Sequence, residues 1–179
     1  MNYLRLLLPF IVLFIYSPLV LSQQTINWMT FEEAIEAHER QPKKIIIDMY
    51  TDWCGWCKRM DKTTFQSEDI AKYINRHFYP VKFNAETKRD ILFKNEKYSF
   101  VQQGNRGYHE LAIKLSERLG RLSFPTVIFI DEDLQIIQPL AGFMEPDQFA
   151  PVISYIAQEQ YLQTPWKQYQ ENFTGLVFN

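Results

Sequence analysis

The strongest constraint on the fold lies between Lys43 and Lys58. There Ile45-Ile46-Ile47 makes an unbroken β-branched run, and Asp48-Met49-Tyr50-Thr51-Asp52 carries the chain off its end into Trp53-Cys54-Gly55-Trp56-Cys57-Lys58. Branched apolar residues without polar alternation read as a strand covered on both faces, the centre of an α/β sheet. Cys54 and Cys57 are the only cysteines in the chain. Two cysteines separated by two residues can close a small disulfide ring or open to a dithiol. With no third cysteine to exchange with, the chemistry they suggest is thiol-disulfide exchange with another molecule. A ring this short gains little from loop closure, which argues against a purely structural disulfide.

The flanking pattern extends the α/β reading. Thr30 and Glu33 have capping-box spacing, and Phe31, Ala34, Ile35 and His38 share one face, which predicts a helix ending near Gln41-Pro42. Residues from about Cys57 to Thr63 open a second helix. Ser67, followed by Glu68 and Asp69, reads as the cap of a third, with Ile70, Tyr73, Ile74 and Phe78 inward. Tyr79 to Asn84 then reads as a strand. Strand, helical crossover and strand make a right-handed parallel unit, with the cysteine loop at the carboxyl end of its first strand, where such sheets present their chemistry.

Between residues 85 and 123 the sequence predicts a hairpin and a helix. Ile91-Leu92-Phe93 and Tyr98-Ser99-Phe100-Val101 flank a polar Lys94-Asn95-Glu96-Lys97 turn. Gly104-Asn105-Arg106-Gly107 punctuates, and Tyr108 to Leu119 reads as a helix ended by Gly120, with Leu111, Ala112, Leu115 and Leu119 inward. The two-glycine turn lacks the lysine and preceding strand of a phosphate loop. Beyond it, Val127-Ile128-Phe129-Ile130 is a strand, and Asp131-Glu132-Asp133 turns into an antiparallel strand over Leu134 to Gln138. Pro146 opens a helix carrying Phe149, Val152, Ile153 and Ile156. In the 161–179 extension, Thr164-Pro165 starts a short helix whose Trp166, Tyr169 and Phe173 read as core cover.

Trp53, Cys54, Gly55, Cys57 and Lys58, with Pro125-Thr126 before an apolar strand and Gly142 after the last strand, resemble the thioredoxin superfamily. The departure is Trp56, where thioredoxins carry proline. The resemblance implies a thioredoxin-like α/β fold, a central mixed β-sheet flanked by helices, with residues 85–123 inserted before the strand that follows a cis proline at Pro125. It also implies a role for each site residue. Cys54 is the exposed nucleophile, favoured as thiolate at a helix amino end, and Cys57 is the shielded resolving thiol. Asp48, six residues before Cys54, matches the family's buried acid and is the candidate base for Cys57, with Lys82 beside it. Trp53, Gly55, Trp56, Phe124, Pro125, Thr126 and Gly142 are the candidate client-binding residues. Trp56 either contacts partners or merely packs. No metal site is expected, since His38, His77 and His109 fall on predicted helices and no Cys-His spacing supports zinc.

The expected function is that of an exported thiol-disulfide oxidoreductase, acting as a reductase on protein disulfides, with no cofactor beyond the Cys54/Cys57 pair. Its partners would be disulfide-containing client proteins and a membrane or soluble thiol electron donor, and the chain would act as a monomer. The competing class is a client-binding or chaperone module in which the disulfide is not catalytic. The 179 residues, 46% of them hydrophobic and 16% aromatic, can bury one sizeable core. A formal net charge of −2 gives no basic excess for nucleic acid. Arg5 precedes an apolar run from Leu6 to Leu21 broken by Pro9 and Pro18, shorter than the ~20 residues of a spanning helix. Residues 1–22 therefore read as a signal peptide cleaved after Ser22, leaving a thioredoxin-like domain over 23–179; the alternative is a membrane anchor over 6–21.

Overall fold

In a computed structural model of the chain, which describes residues 24–178, the first helix, α1 (Phe31–Arg40), opens with the expected capping box. Thr30 Oγ1 accepts from Glu33 N–H, and the Glu33 carboxylate accepts from Thr30 N–H. The apolar run forms β1 (Ile45–Tyr50), and α2 (Gly55–Lys62) begins immediately after Cys54. Ser67 stands at the cap position of α3 (Glu68–His77), but its hydroxyl makes no capping bond, so only the acidic first turn remains as a local signal. β2 (Tyr79–Asn84) completes the crossover and runs parallel to β1, with Asp48 opposite Lys82. The signal-peptide and anchor readings fall outside the described residues. Among the described residues no helix is long and apolar enough to cross a membrane.

The 85–123 segment holds two hairpins where the sequence predicts one. β3 (Ile91–Phe93) pairs with β4 (Glu96–Tyr98) across the two-residue turn Lys94-Asn95. Both turn residues have positive φ, 54° and 61°, the backbone twist that suits a tight antiparallel turn, so Glu96 and Lys97 belong to the strand. β5 (Phe100–Gln103) then pairs with β6 (Arg106–His109) around Gly104-Asn105. The predicted helix starts only at Glu110 as α4 (Glu110–Leu115), followed by a 3₁₀ turn over Glu117–Leu119 and the left-handed Gly120. Tyr108 and His109 are therefore strand residues. Leu111, Ala112 and Leu115 are fully buried, as their spacing predicts.

β7 (Thr126–Ile130) and β8 (Ile136–Ala141) finish a mixed sheet of order β2-β1-β7-β8, with β7 antiparallel to both neighbours. Leu134 lies in the turn at φ 58° and not in the strand, which runs on to Ala141. α5 (Pro146–Ala157) has Pro146 in its first turn, and α6 (Trp166–Glu171) follows a 3₁₀ turn over Gln160–Leu162. The lack of alternation in β1 has the predicted cause. Ile45, Ile47 and Met49 pack with α1, α4 and the β3–β4 hairpin, while Ile46 packs with α2, α3 and α5 on the other face. Asp48 projects to the second face, a carboxylate where the alternation calls for a hydrophobe.

Candidate active site

Every predicted site residue lies at or next to the carboxyl end of β1. Cys54 is the N-cap of α2, and its sulfur accepts the Cys57 N–H at 3.1 Å. Cys54 and Cys57 are joined as a disulfide, with Cα atoms 5.3 Å apart. A sulfur receiving an amide N–H at a helix amino end is a site that favours a thiolate once the pair is reduced. Cys54 is not exposed as expected: in this disulfide form it is buried at 4% exposure, almost as fully as Cys57 at 2%. Gly55 opens α2, and a Cβ there would meet no atom within 4 Å. No close contact therefore requires glycine at this position.

The proline turn closes on the same point. The Phe124–Pro125 bond is cis. Thr126, at the start of β7, pairs with Met49 near the end of β1, which sets the turn beside the cysteine loop. Gly142, at φ 107°, donates its N–H to Pro125 O at 2.9 Å, a conformation and contact suited to glycine. Thr126 is fully buried and its hydroxyl donates to Ser123 O at 2.7 Å. Its side chain thus braces the turn and does not face a client. Phe124 packs edge-on against Trp53, ring centroids 5.9 Å apart.

Both tryptophans of the motif are more than half exposed, Trp53 at 54% and Trp56 at 56%. Trp53 Nε1 donates to Glu86 at 2.9 Å. Trp56 lies 5.5 Å from Phe143, and the Arg59 guanidinium stands over both rings at 5.5 and 4.9 Å, tied to Glu145 at 2.8 Å. Trp56 therefore packs and remains exposed at once.

Asp48 is 1% exposed, and Lys82 Nζ is bonded to both Asp48 and Asp61. Asp48 Oδ1 takes no hydrogen bond from protein. Burial pushes the Asp48 carboxyl up to about 6, against the opposing pull of Lys82. Burial also works against the Lys82 charge, but the carboxylates of Asp48 and Asp61 together hold its ammonium above the ordinary lysine range. Asp61 escapes a search for acids near the cysteines, although it lies four residues after Cys57, one turn along the same helix face. Glu86, Phe143 and Arg106 reach the site from loops and from the inserted hairpin, where no local pattern marks them.

The sequence profile of a family described as thioredoxin-like domain matches residues 31–157. The disulfide bond reductase DsbH of Chlamydia pneumoniae is 27% identical over 110 residues, 60% of this chain and 58% of that protein. The thiol:disulfide interchange protein DsbD of Pseudoalteromonas atlantica is 25% identical over 127 residues, 69% of this chain but only 18% of that longer protein. A solved thioredoxin-fold protein from Helicobacter pylori superposes with a TM-score of 0.55 at 20% identity, covering 73% of this chain and 83% of that one. A putative disulphide-isomerase from Bacteroides thetaiotaomicron gives 0.51 at 23% identity, covering 79% and 97%. Both share the fold. With a profile match running from the start of α1 to the end of α5, and with the cysteine pair, the cis proline and the buried acid gathered at one end of its sheet, this chain belongs to the thioredoxin-like domain family.

Proposed function

We propose that the chain is a thiol-disulfide oxidoreductase that reduces disulfides of client proteins outside the cytoplasm. The observation that carries the reading is the Cys54–Cys57 pair at the amino end of α2, beside the cis Phe124–Pro125 turn. The reducing direction is supported by the name of one relative, a disulfide bond reductase, and thiol-disulfide exchange by that of the other, a thiol:disulfide interchange protein. The apolar run at residues 6–21 supports export.

In the reaction, the Cys54 thiolate attacks one sulfur of a client disulfide. A Cys54–client bond forms, the client S–S bond breaks, and the leaving sulfur departs as a thiolate that takes up a proton. Cys57 gives its proton toward Asp48, whose raised pKa of about 6 leaves it ionised but only moderately acidic at neutral pH. The Cys57 thiolate then attacks Cys54, restoring the disulfide and releasing the second client sulfur. Two electrons pass to the client, whose two thiolates take up one proton from Cys57 by way of Asp48 and one from solvent, and a thiol electron donor resets the pair. The backbone at the cis-proline turn would pair with the extended client segment.

The test is reduction of insulin driven by dithiothreitol. The wild-type chain should accelerate it, and Cys54→Ser should abolish the acceleration. An inactive wild-type chain would overturn the reading in favour of a client-binding module with a non-catalytic disulfide.

A further inference from the structure

The inserted β5–β6 hairpin brings to the rim of the disulfide a cation that the reaction above does not use. Its position is fixed at two points. Gly107 packs so closely that a Cβ there would lie 2.4 Å from Phe100 Cζ and 2.6 Å from Val101 O. His109 is fully buried. Its N–H donates to Ala85 O at 2.7 Å, and its Nδ1 accepts from Leu111 N–H at 3.2 Å, which leaves Nε2–H to donate to Arg89 O at 2.9 Å. Between and beside these anchors, Arg106 and Tyr108 stand toward the active site. Tyr108 packs on Phe124, centroids 5.9 Å apart, and the Arg106 guanidinium lies 5.4 Å over the ring of Trp53, the residue before Cys54.

The two tryptophans are covered by two differently placed arginines. Arg59, over Trp56, is neutralised by Glu145. Arg106 is exposed and forms no ion pair among the described residues. Of the nearby carboxylates, Glu86 accepts the Trp53 indole N–H at 2.9 Å and Asp52 accepts from Asn84 at 3.2 Å. A cation–π contact with a ring takes up none of a guanidinium's N–H donors, so its planar fork stays available to a carboxylate.

We propose that Arg106 is a specificity-determining residue that selects client disulfides carrying an Asp or Glu side chain beside the cysteine attacked by Cys54. The proposal rests on the oxidoreductase reading and deepens it. Because Asp52 and Glu86 place negative charge nearby, the selection comes from direct bidentate contact and not from a diffuse attraction of acidic proteins.

The experiment uses the full chain recycled by dithiothreitol and three disulfide-linked peptides that differ only in Glu, Gln or Lys next to the half-cystine. Wild type should show a kcat/KM for the Glu peptide about tenfold above that for the Lys peptide, the scale of one charge-assisted bidentate contact. Arg106→Gln should bring the ratio near one, Arg106→Glu should invert it, and Arg106→Lys, which keeps the charge but loses the fork, should fall between. If Arg106 only pins Trp53, all three rates drop by one factor and the ratio stays, which overturns the proposal. Equal rates for the three peptides with wild type also overturn it and leave the oxidoreductase reading standing. A wild-type chain that reduces none of them defeats both.

Discussion

Asp48 concentrates the tension between stability and chemistry in one side chain. Its carboxyl is moved from an ordinary 3.8 to about 6, chiefly by burial, with Lys82 opposing. Below the ordinary value the group is protonated in folded and unfolded chains alike, and it contributes no pH dependence. Between about 4 and 6 the folded chain still holds the proton that the unfolded chain has released, so stability falls as pH rises through that window. Above it the full cost remains, about 3 kcal/mol at 1.36 kcal/mol per pH unit of displacement. Asp48→Asn should therefore raise the free energy of unfolding at pH 7.5 by up to that amount, while leaving Lys82 its bond to Asp61. At pH 4 the difference should vanish. The same substitution should slow turnover at pH 7.5 by at least about tenfold, since the base form is what it removes. Urea titrations and insulin-reduction rates at both pH values check the pair of effects. A variant as active as wild type from pH 6 to 9 would leave Asp48 a purely structural group. The acid itself was legible, because a carboxylate in an isoleucine-rich strand has no packing reason to be there. Asp61 was not, because nothing in its neighbourhood distinguishes it from any solvated helix residue.

The elements differ in how openly the sequence declares them. α1 announces itself through Thr30 and Glu33, β1 through three consecutive isoleucines, and α5 through Pro146, because each depends on contacts a few residues apart. The β5–β6 hairpin is hidden, since Gly104-Asn105-Arg106-Gly107 looks like a loop when only composition is read. Gly107 in fact lies in a strand, and it is glycine because Phe100 and the Val101 carbonyl leave no room for a Cβ. Gly107→Ala must displace backbone as well as a side chain, which places its cost in the overpacking range of about 1 to 3 kcal/mol. The damage should stay local. In native-state hydrogen exchange, the His109 amide, which donates to Ala85 O, should lose protection, while amides of β1 and β7 should change far less. Uniform loss of protection across the sheet would show that the hairpin is integral to the core and not a graft upon it. That outcome would fit the neighbouring β3–β4 hairpin, whose Ile91 and Phe93 are buried against α1.

At the scale of the whole molecule, sheet order, the cis turn and the cysteine loop follow from one arrangement. β7 runs antiparallel to β1, so the turn that starts β7 must lie where β1 ends. Residues as far apart as Cys54, Pro125 and Gly142 could be joined in advance only through the resemblance to thioredoxins, and the rim around them, built by Arg106, Glu86 and Phe143, depends on loop paths that no periodicity encodes. The same whole-molecule view bears on the direction of electron flow. A strongly oxidising pair requires a reduced form stabilised far beyond an ordinary dithiol. Here the nucleophile gains the amino end of α2 and the Cys57 N–H; Trp56 supplies no charge, Arg59 is engaged by Glu145, and Arg106, over Trp53, is exposed, where solvent screens its charge. The buried Asp48, ionised at neutral pH, is paired with the Lys82 ammonium, so the two together offer the dithiol no net positive charge. Equilibration with dithiothreitol or glutathione buffers should accordingly place the Cys54/Cys57 couple near about −270 mV, as in thioredoxin, and not in the range of about −120 to −180 mV occupied by oxidants and isomerases. A value in that upper range would mean that Trp56 and its aromatic surroundings stabilise the dithiol by a route other than charge, and the reaction would then run from client thiols to the Cys54–Cys57 disulfide.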